Sequence, residues 1–213
     1  MQLPAGPAFG AVVLAAGEAR RMGGRSKPLI ERDGVPLVRR VVQALLESGV
    51  HDVVVVLGYR AEEVEAALTG LPVRRVVNAN YQAGRVSSLR AGLAALPGSI
   101  DAVLVALADQ PLLDPADVAS LLRAHAGRGA ACAVVPRVRG ERGHPVVLES
   151  SVCRAILQGD DEFGARQWME QNPSQVAWFD SDNGHYCVDV DSFEDLERIA
   201  QRYGCAMRWP ARA

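Results

Sequence analysis

Three short stretches of the chain are apolar without interruption: Ala11 to Ala16, Val53 to Leu57 and Ala102 to Ala106. Continuous rather than alternating runs predict strands covered on both faces, as in a parallel sheet. Between them, apolar positions recur at helical spacing. Leu37, Val38, Val41, Val42, Leu45 and Leu46 fall on one stripe that Gly49 is placed to end. Val64, Ala67 and Leu68 mark a shorter helix, and Asp114-Pro115 is a cap and first-turn pair opening a third over Val118, Leu121 and Leu122. Arg74 to Val77 and Cys132 to Val135 read as further strands. This alternation predicts an α/β fold of three layers with a doubly wound, mostly parallel sheet.

After Pro136 the rhythm changes. Arg139 to Gly143 is a polar turn, Val146 to Leu148 a short strand and Ser151 to Leu157 a helix. A last helix opens at Ser192, with Asp195 placed as in a capping box and Phe193, Leu196, Ile199 and Ala200 on one face. There is neither a repeat nor a linker, so the expectation is one domain over 1–213 with an elaborated C-terminal third.

Composition narrows the class. The 213 residues are 49% hydrophobic and 23% charged with a net charge of −2, which excludes a disordered chain and gives no global attraction to nucleic acid or an anionic membrane. Cys132, Cys153, Cys187 and Cys205 show no C-x-x-C spacing, as expected of small buried side chains in a reducing cytoplasm. Met1 to Gly17 carries no charge, but Pro4 and Pro7 interrupt it and Arg20 and Arg21 follow the apolar run. The expectation is neither a secretory signal nor a membrane span.

The chemistry concentrates after the first strand, from Leu14, Ala15, Ala16 and Gly17 to Gly23, Gly24, Arg25, Ser26, Lys27 and Pro28. Small residues let backbone amides approach an anion, and Arg20, Arg21, Arg25 and Lys27 face one acid, Glu18. Such a loop at the carboxyl end of a strand suits a triphosphate. It is not a Walker loop, because Met22 stands where the second glycine belongs and Lys27 precedes proline; nor is it a dinucleotide fingerprint, since Gly17 lacks the second glycine. Lys27 is the chain's one lysine, the other 22 of its 23 basic residues being arginine. A rotatable ammonium suits a moving phosphoryl group better than a planar fork. Asp109, just past the third apolar run and followed by Gln110-Pro111, is a carboxylate placed to hold Mg²⁺ beside such a loop.

Taken together, L-A-A-G-x-x-x-R-M-G-x-x-x-K and D-Q-P resemble the signature of the molybdenum cofactor nucleotidyltransferases and their relatives. Gly34-Val35-Pro36-Leu37, Gly84 with Ser87-Ser88-Leu89, Arg142-Gly143-His144-Pro145 and Asp189-Val190-Asp191 extend the resemblance over nearly the whole chain, toward the cytidylyl branch. It implies a Rossmann-like nucleotidyltransferase fold, with 8–136 binding nucleotide and 137–213 binding the acceptor and closing the site. The nucleotide would meet Leu14, Ala15, Ala16, Gly17, Arg21, Lys27, Asn78, Gly84, Ser87, Ser88 and Asp109, with Arg21, Lys27 and Asp109 catalytic. Asp191, or Asp189 two residues away, would join Asp109 on Mg²⁺. Arg142, Gly143, His144 and Pro145 would face a molybdopterin-type phosphomonoester.

The implied reaction moves CMP from CTP to that phosphate and releases pyrophosphate, the product passing to a molybdenum hydroxylase. Ala16, where GTP-using relatives tend to carry glycine, favours CTP. Gly159 to Arg166 holds more residues than the tighter G-D-x-G-A-R of relatives, so the acceptor is less fixed than the nucleotide. GTP with another phosphorylated acceptor is the near alternative. A non-catalytic accessory protein that binds nucleotide or cofactor is the distant one. His51, His125 and His185 lack metal-ligand spacing and read as incidental.

Overall fold

The structure, a computed structural model, describes residues 7–18 and 22–210. Arg20 and Arg21 therefore lie outside the described residues.

The three apolar runs are neighbours. β1 (Phe9–Leu14) pairs in parallel with β4 (Asp52–Leu57) on one side and β6 (Ala102–Leu107) on the other. The first strand ends at Leu14, so Ala15 and Ala16, expected within it, lie beyond its end. There Ala15 N–H donates to Val56 O (2.9 Å) and Ala16 O accepts from Tyr59 N–H (3.1 Å), as the chain turns toward the loop. β5 (Arg74–Val77) extends the sheet in parallel past β4.

Beyond β6 the sheet is mixed. β9 (Val146–Glu149) is antiparallel to both β6 and β7 (Ala133–Val138), and β10 (Val176–Asp180) runs parallel to β7 at the edge. The polar turn expected at 139–143 closes a hairpin between β7 and β8 (Glu141–Arg142), with Arg139 and Gly140 both at positive φ. A separate antiparallel sheet joins β2 (Glu31–Arg32) to β3 (Val35–Pro36) and to β11 (Met207–Arg208), so segments 177 residues apart in sequence meet at the Arg208–Glu31 ion pair.

Both faces are covered, which is why the strands read as unbroken apolar runs. On one face α1 (Leu37–Glu47), α2 (Ala61–Ala67) and α4 (Pro115–Ala126) pack Val38, Val41, Val64, Val118 and Leu121 on Ala11, Val13, Val55 and Leu104. On the other, α3 (Arg85–Ala95), α5 (Ser150–Gln158) and α6 (Ala165–Gln171) pack Leu89, Leu93, Val152, Ile156 and Trp168 on Val12, Val54, Val56 and Val105. Each fully buried Val, Leu or Ile contributes about 1.5–3 kcal/mol. Gly92 lets α3 sit close, because a Cβ there would lie 2.4 Å from Val12 Cγ1.

A third cluster is built from sequence-distant parts. Met22, Ile30, Leu37, Leu112, Val190, Leu196 and Ile199 bury one face of α7 (Phe193–Tyr203) against the end of the glycine-rich loop. The capping box between Ser192 and Asp195 opens α7, as its spacing predicts, and Asp114 with Asp117 forms another on α4. This third cluster brings the end of the chain to the first strand's loop.

Candidate functional site

The connection after β1 leaves toward β4, whereas β6 lies on its other flank, so a crevice opens at the carboxyl ends of β1 and β6. Open α/β sheets bind ligands at such a switch point. The cleft there, of about 250 Å³, is lined by Leu14, Ala15, Ala16, Gly17 and Glu18, by Lys27, by Gly84, Arg85 and Ser88 at the start of α3, and by Asp109, Asp189 and Asp191.

Lys27 begins a single 3₁₀ turn whose Pro28 is buried, which fixes the backbone and leaves the side chain directed into the cleft. Its ammonium bonds Asp191 Oδ1 at 2.5 Å and Asp109 Oδ2 at 3.3 Å. Burial alone would lower the lysine pKa, but the bond to Asp191 and the charges of Asp109 and Asp191 hold it above the ordinary value. Burial pushes the Asp109 carboxyl up, Lys27 pulls it back, and the charges of Asp189 and Asp191 raise it again. Asp189 is raised too, by burial and by Asp191. The segment carrying both is tied down where Val190 N–H donates to Asp109 O (3.2 Å). Two carboxylates thus bond one ammonium, and a third, Asp189, lines the same cleft. That surplus of negative oxygen fits a hard divalent cation, which takes carboxylates together with phosphate oxygens and water.

The glycine-rich loop is anchored at its far end by buried Met22. Gly23 and Gly24 both take positive φ, and Tyr59 Oη donates to Gly24 O (2.6 Å). Arg25 stacks on Trp209, its guanidinium 5.3 Å from the ring centroid.

The residues expected to meet the nucleotide divide in two. Leu14 to Gly17, Lys27, Gly84, Ser88 and Asp109 line the cleft. Asn78 and Ser87 do not; the Asn78 amide donates to Ser87 Oγ and Ser88 Oγ (3.0 Å each), and Ser87 Oγ donates to carbonyls of Asn80 and Gly84. They brace the turn before α3.

A second cavity, of about 720 Å³, adjoins the first. Its wall includes Arg142, Gly143 and His144, its floor Leu89, Val105, Val135, Val146 and Met169, and its far rim Gly164 to Gln167. Gln110 of the D-Q-P motif braces this wall, donating from Nε2 to His144 O (2.9 Å) and Tyr186 O (3.3 Å). His144 N–H donates to the same Tyr186 carbonyl at 2.8 Å. A Cβ on Gly143 would lie 2.6 Å from it, so the close approach requires glycine. Burial, aided by the Arg85 charge, lowers the His144 pKa to about 4 and leaves the imidazole neutral. Pro145 is buried behind it, and Arg142 stacks on Trp178 at 5.2 Å.

The chain matches the MobA-like NTP transferase domain over residues 11–176. It belongs to that family. A relative 37% identical, a nicotine blue oxidoreductase from Paenarthrobacter nicotinovorans, aligns over 92% of this chain and 96% of its own length. A bifunctional protein GlmU from Sorangium cellulosum is 35% identical over 68% of this chain, which spans only 33% of that protein. A solved nucleotidyl transferase from Methanothermobacter thermautotroptrophicus superposes with a TM-score of 0.76 at 28% identity, covering 93% of this chain and 98% of the other. The mixed, mostly parallel sheet between two helical layers is the fold of those nucleotidyltransferases.

Several residues escaped the sequence reading. Arg85 carried a faint signal, a cation directly after Gly84 at a helix start; Gln167 and Met169 on the α6 wall carried less. His185, read as incidental, packs with Asp114 and Asp117, their ligand atoms within 4.8 Å of one another. Hydrogen bonds within the protein account for the cluster: Asp117 accepts from Asn183 Nδ2 (2.5 Å) and meets His185 Nδ1 (2.9 Å), while Tyr186 Oη donates to Asp117 O (2.9 Å). Of the cysteines, Cys153 and Cys205 are buried, whereas Cys132 and Cys187 are partly exposed, and all four are free. No helix among the described residues is long and apolar enough to cross a membrane.

Proposed function

We propose that the protein transfers CMP from CTP to the phosphate of a molybdopterin-type acceptor and releases pyrophosphate. The observation that carries this reading is Lys27 held between Asp109 and Asp191 beside a second cavity walled by Arg142 to His144. Asp109 with Asp191, or with Asp189, would hold Mg²⁺. A divalent cation held there would supply charge neutralisation for the triphosphate and the leaving pyrophosphate.

The protein's own part is positioning and charge. The backbone of Ala16 and Gly17, which lines the cleft, would meet the phosphates, and Lys27 would exchange its carboxylate partners for phosphate oxygens. Arg21, on the same loop in sequence, would add a second cation. An oxygen of the acceptor phosphate bonds to the α-phosphorus, the bond from that phosphorus to the bridging oxygen breaks, and its electron pair leaves with pyrophosphate. No covalent enzyme intermediate is needed. Ala16 supports CTP over GTP, and the cytoplasm, where a molybdenum hydroxylase would receive the product, is the compartment that fits.

A second reading comes from the likeness to a protein named an oxidoreductase. Here the cleft would serve a planar dye and an external reductant, and the carboxylate cluster would have no part. Pyrophosphate release measured with each of four NTPs, with and without molybdopterin, decides the question. The expected result is release with CTP that depends on both molybdopterin and Mg²⁺. Release preferring GTP would overturn the base assignment. CTP binding with no pyrophosphate from any phosphorylated acceptor would leave a carrier, and reduction of nicotine blue by an added reductant without transfer would favour the second reading.

A further inference from the structure

Two cavities meet at the mouth of the sheet, and Leu14, Arg85 and Leu107 line both. Two of these are apolar strand ends. Among the described residues Arg85 is the one shared side chain with a charge, and it is the first residue of α3, directly after Gly84 at φ 109°. Other arginines are spoken for. Arg90, within the same helix, donates to the carbonyls of Ile156, Leu157, Gly159 and Asp160, and Arg137 makes a two-point pair with Asp180. Arg85 is exposed and, among the described residues, has neither a hydrogen bond nor a carboxylate partner. Arg85 and His144 both line the second cavity. His144 is neutral and does not compete for an anion. Across the first cavity, Lys27 is already committed to carboxylates.

We infer that Arg85 is a catalytic residue that holds the acceptor's phosphate at the joint between the cavities. The inference rests on the transferase reading. Transfer brings two anions together: an oxygen of the acceptor phosphomonoester must reach the α-phosphorus of the nucleotide. The acceptor is a dianion at its reacting phosphate and has no proton to lose; the bond it forms is balanced by the bond broken to the bridging oxygen, whose electron pair departs on pyrophosphate. A planar guanidinium at the joint offsets their repulsion and orients the attacking phosphate through two parallel N–H bonds, which an ammonium cannot do. The geometry also orders the acceptor. With the cation at the joint and Leu89, Val105, Val135 and Met169 flooring the space behind it, the phosphate lies at the joint and the less polar body lies within.

The test is binding, independent of turnover. The full chain is saturated with Mg²⁺ and a CTP analogue carrying a methylene between its α and β phosphates, then titrated with 4-methylumbelliferyl phosphate. Wild type is expected to bind it. Arg85→Ala should weaken that binding about tenfold or more, the scale of a charge-assisted contact, and shift the Kd of the CTP analogue less than about threefold. Arg85→Lys should recover only part of the loss, and the melting temperature should stay unchanged because the side chain is exposed. Equal weakening of both ligands would make Arg85 a triphosphate contact and overturn the inference. So would unchanged phosphomonoester binding, full rescue by lysine, or no phosphomonoester binding by wild type. Pyrophosphate release by wild type with CTP and molybdopterin is scored separately. Its absence, with phosphomonoester binding still lost in Arg85→Ala, would sink the transferase reading and the catalytic role while showing the anion contact.

Discussion

Lys27 Nζ lies 2.5 Å from Asp191 Oδ1, although 164 residues separate the two in the chain. One comes from the loop after the first strand and the other from the entry to the last helix, and Asp109 Oδ2 stands 3.3 Å from the same ammonium. The contact depends on α7 packing against buried Met22 and Ile30. It makes the lysine both the counter-charge of the carboxylates and the group that a triphosphate would draw away from them.

Lys27→Ala should therefore have two signatures. Loss of one charge-assisted phosphate contact, roughly 1.5–3 kcal/mol, should reduce turnover about ten- to a hundredfold. Three carboxylates left without their ammonium should also make the variant's melting temperature rise more steeply with added Mg²⁺ than that of wild type. Steady-state kinetics and thermal melts across a Mg²⁺ series check both; wild-type turnover with a wild-type melt would make the lone lysine incidental.

Much of this site was legible in the sequence because its parts are local. The glycine-rich loop, Lys27 and Asp109 each announce themselves by following an apolar strand, and the caps at Asp114 and Ser192 need only short-range spacing. What was not legible depends on distance. β10 and α6 carry few periodic apolar positions, and the two-residue strands β2, β3 and β11 are too short to leave a pattern. The antiparallel turn of β9 is a matter of topology, which apolarity alone does not encode. Asn78 is named through the resemblance alone, and the structure shows its amide donating to Ser87 and Ser88, a pairing across the turn that the sequence does not encode.

Asp109→Asn separates catalysis from folding. The carboxyl is raised by burial, so its charged form is costly in the folded protein. The amide removes that cost and leaves the Val190 N–H bond to the residue 109 carbonyl intact. The melting temperature without ligand should be unchanged or higher, while turnover collapses and the Mg²⁺ requirement rises. Wild-type turnover at limiting Mg²⁺ would end the metal assignment.

His144 gives a pH prediction. Its pKa in the folded protein is about 4, below the 6.5 of an ordinary histidine. The unfolded chain therefore takes up a proton that the folded chain refuses between those values. The stability concerned is present above about pH 6.5 and is lost as pH falls toward 4. Buried His125 is lowered by burial as well and adds to the same slope. His144→Asn should flatten part of the fall in melting temperature between pH 7.5 and 5, and an unchanged slope would contradict the assignment.

Gly143→Ala tests whether the wall of the second cavity belongs to the acceptor. The new methyl would lie 2.6 Å from Tyr186 O and 2.8 Å from Tyr186 Cβ, closer than carbon contacts allow. Tyr186 cannot simply yield, because its carbonyl accepts from His144 N–H and Gln110 Nε2, and its hydroxyl is bonded to Asp117 O. The segment must shift instead, at a cost of about 1–3 kcal/mol, which for a chain of this size lowers the melting temperature by roughly 2–12 °C. A shift there moves His144 and Arg142 but not Lys27 or Asp109. The acceptor KM should rise severalfold while CTP binding, measured by titration calorimetry, stays at the wild-type value. Gly98→Ala is the control, since a Cβ at Gly98 meets nothing within 4 Å and should alter neither quantity. If Gly143→Ala weakened CTP as much as the acceptor, the second cavity would be part of the nucleotide site, and the division of the crevice into two subsites would have to be abandoned.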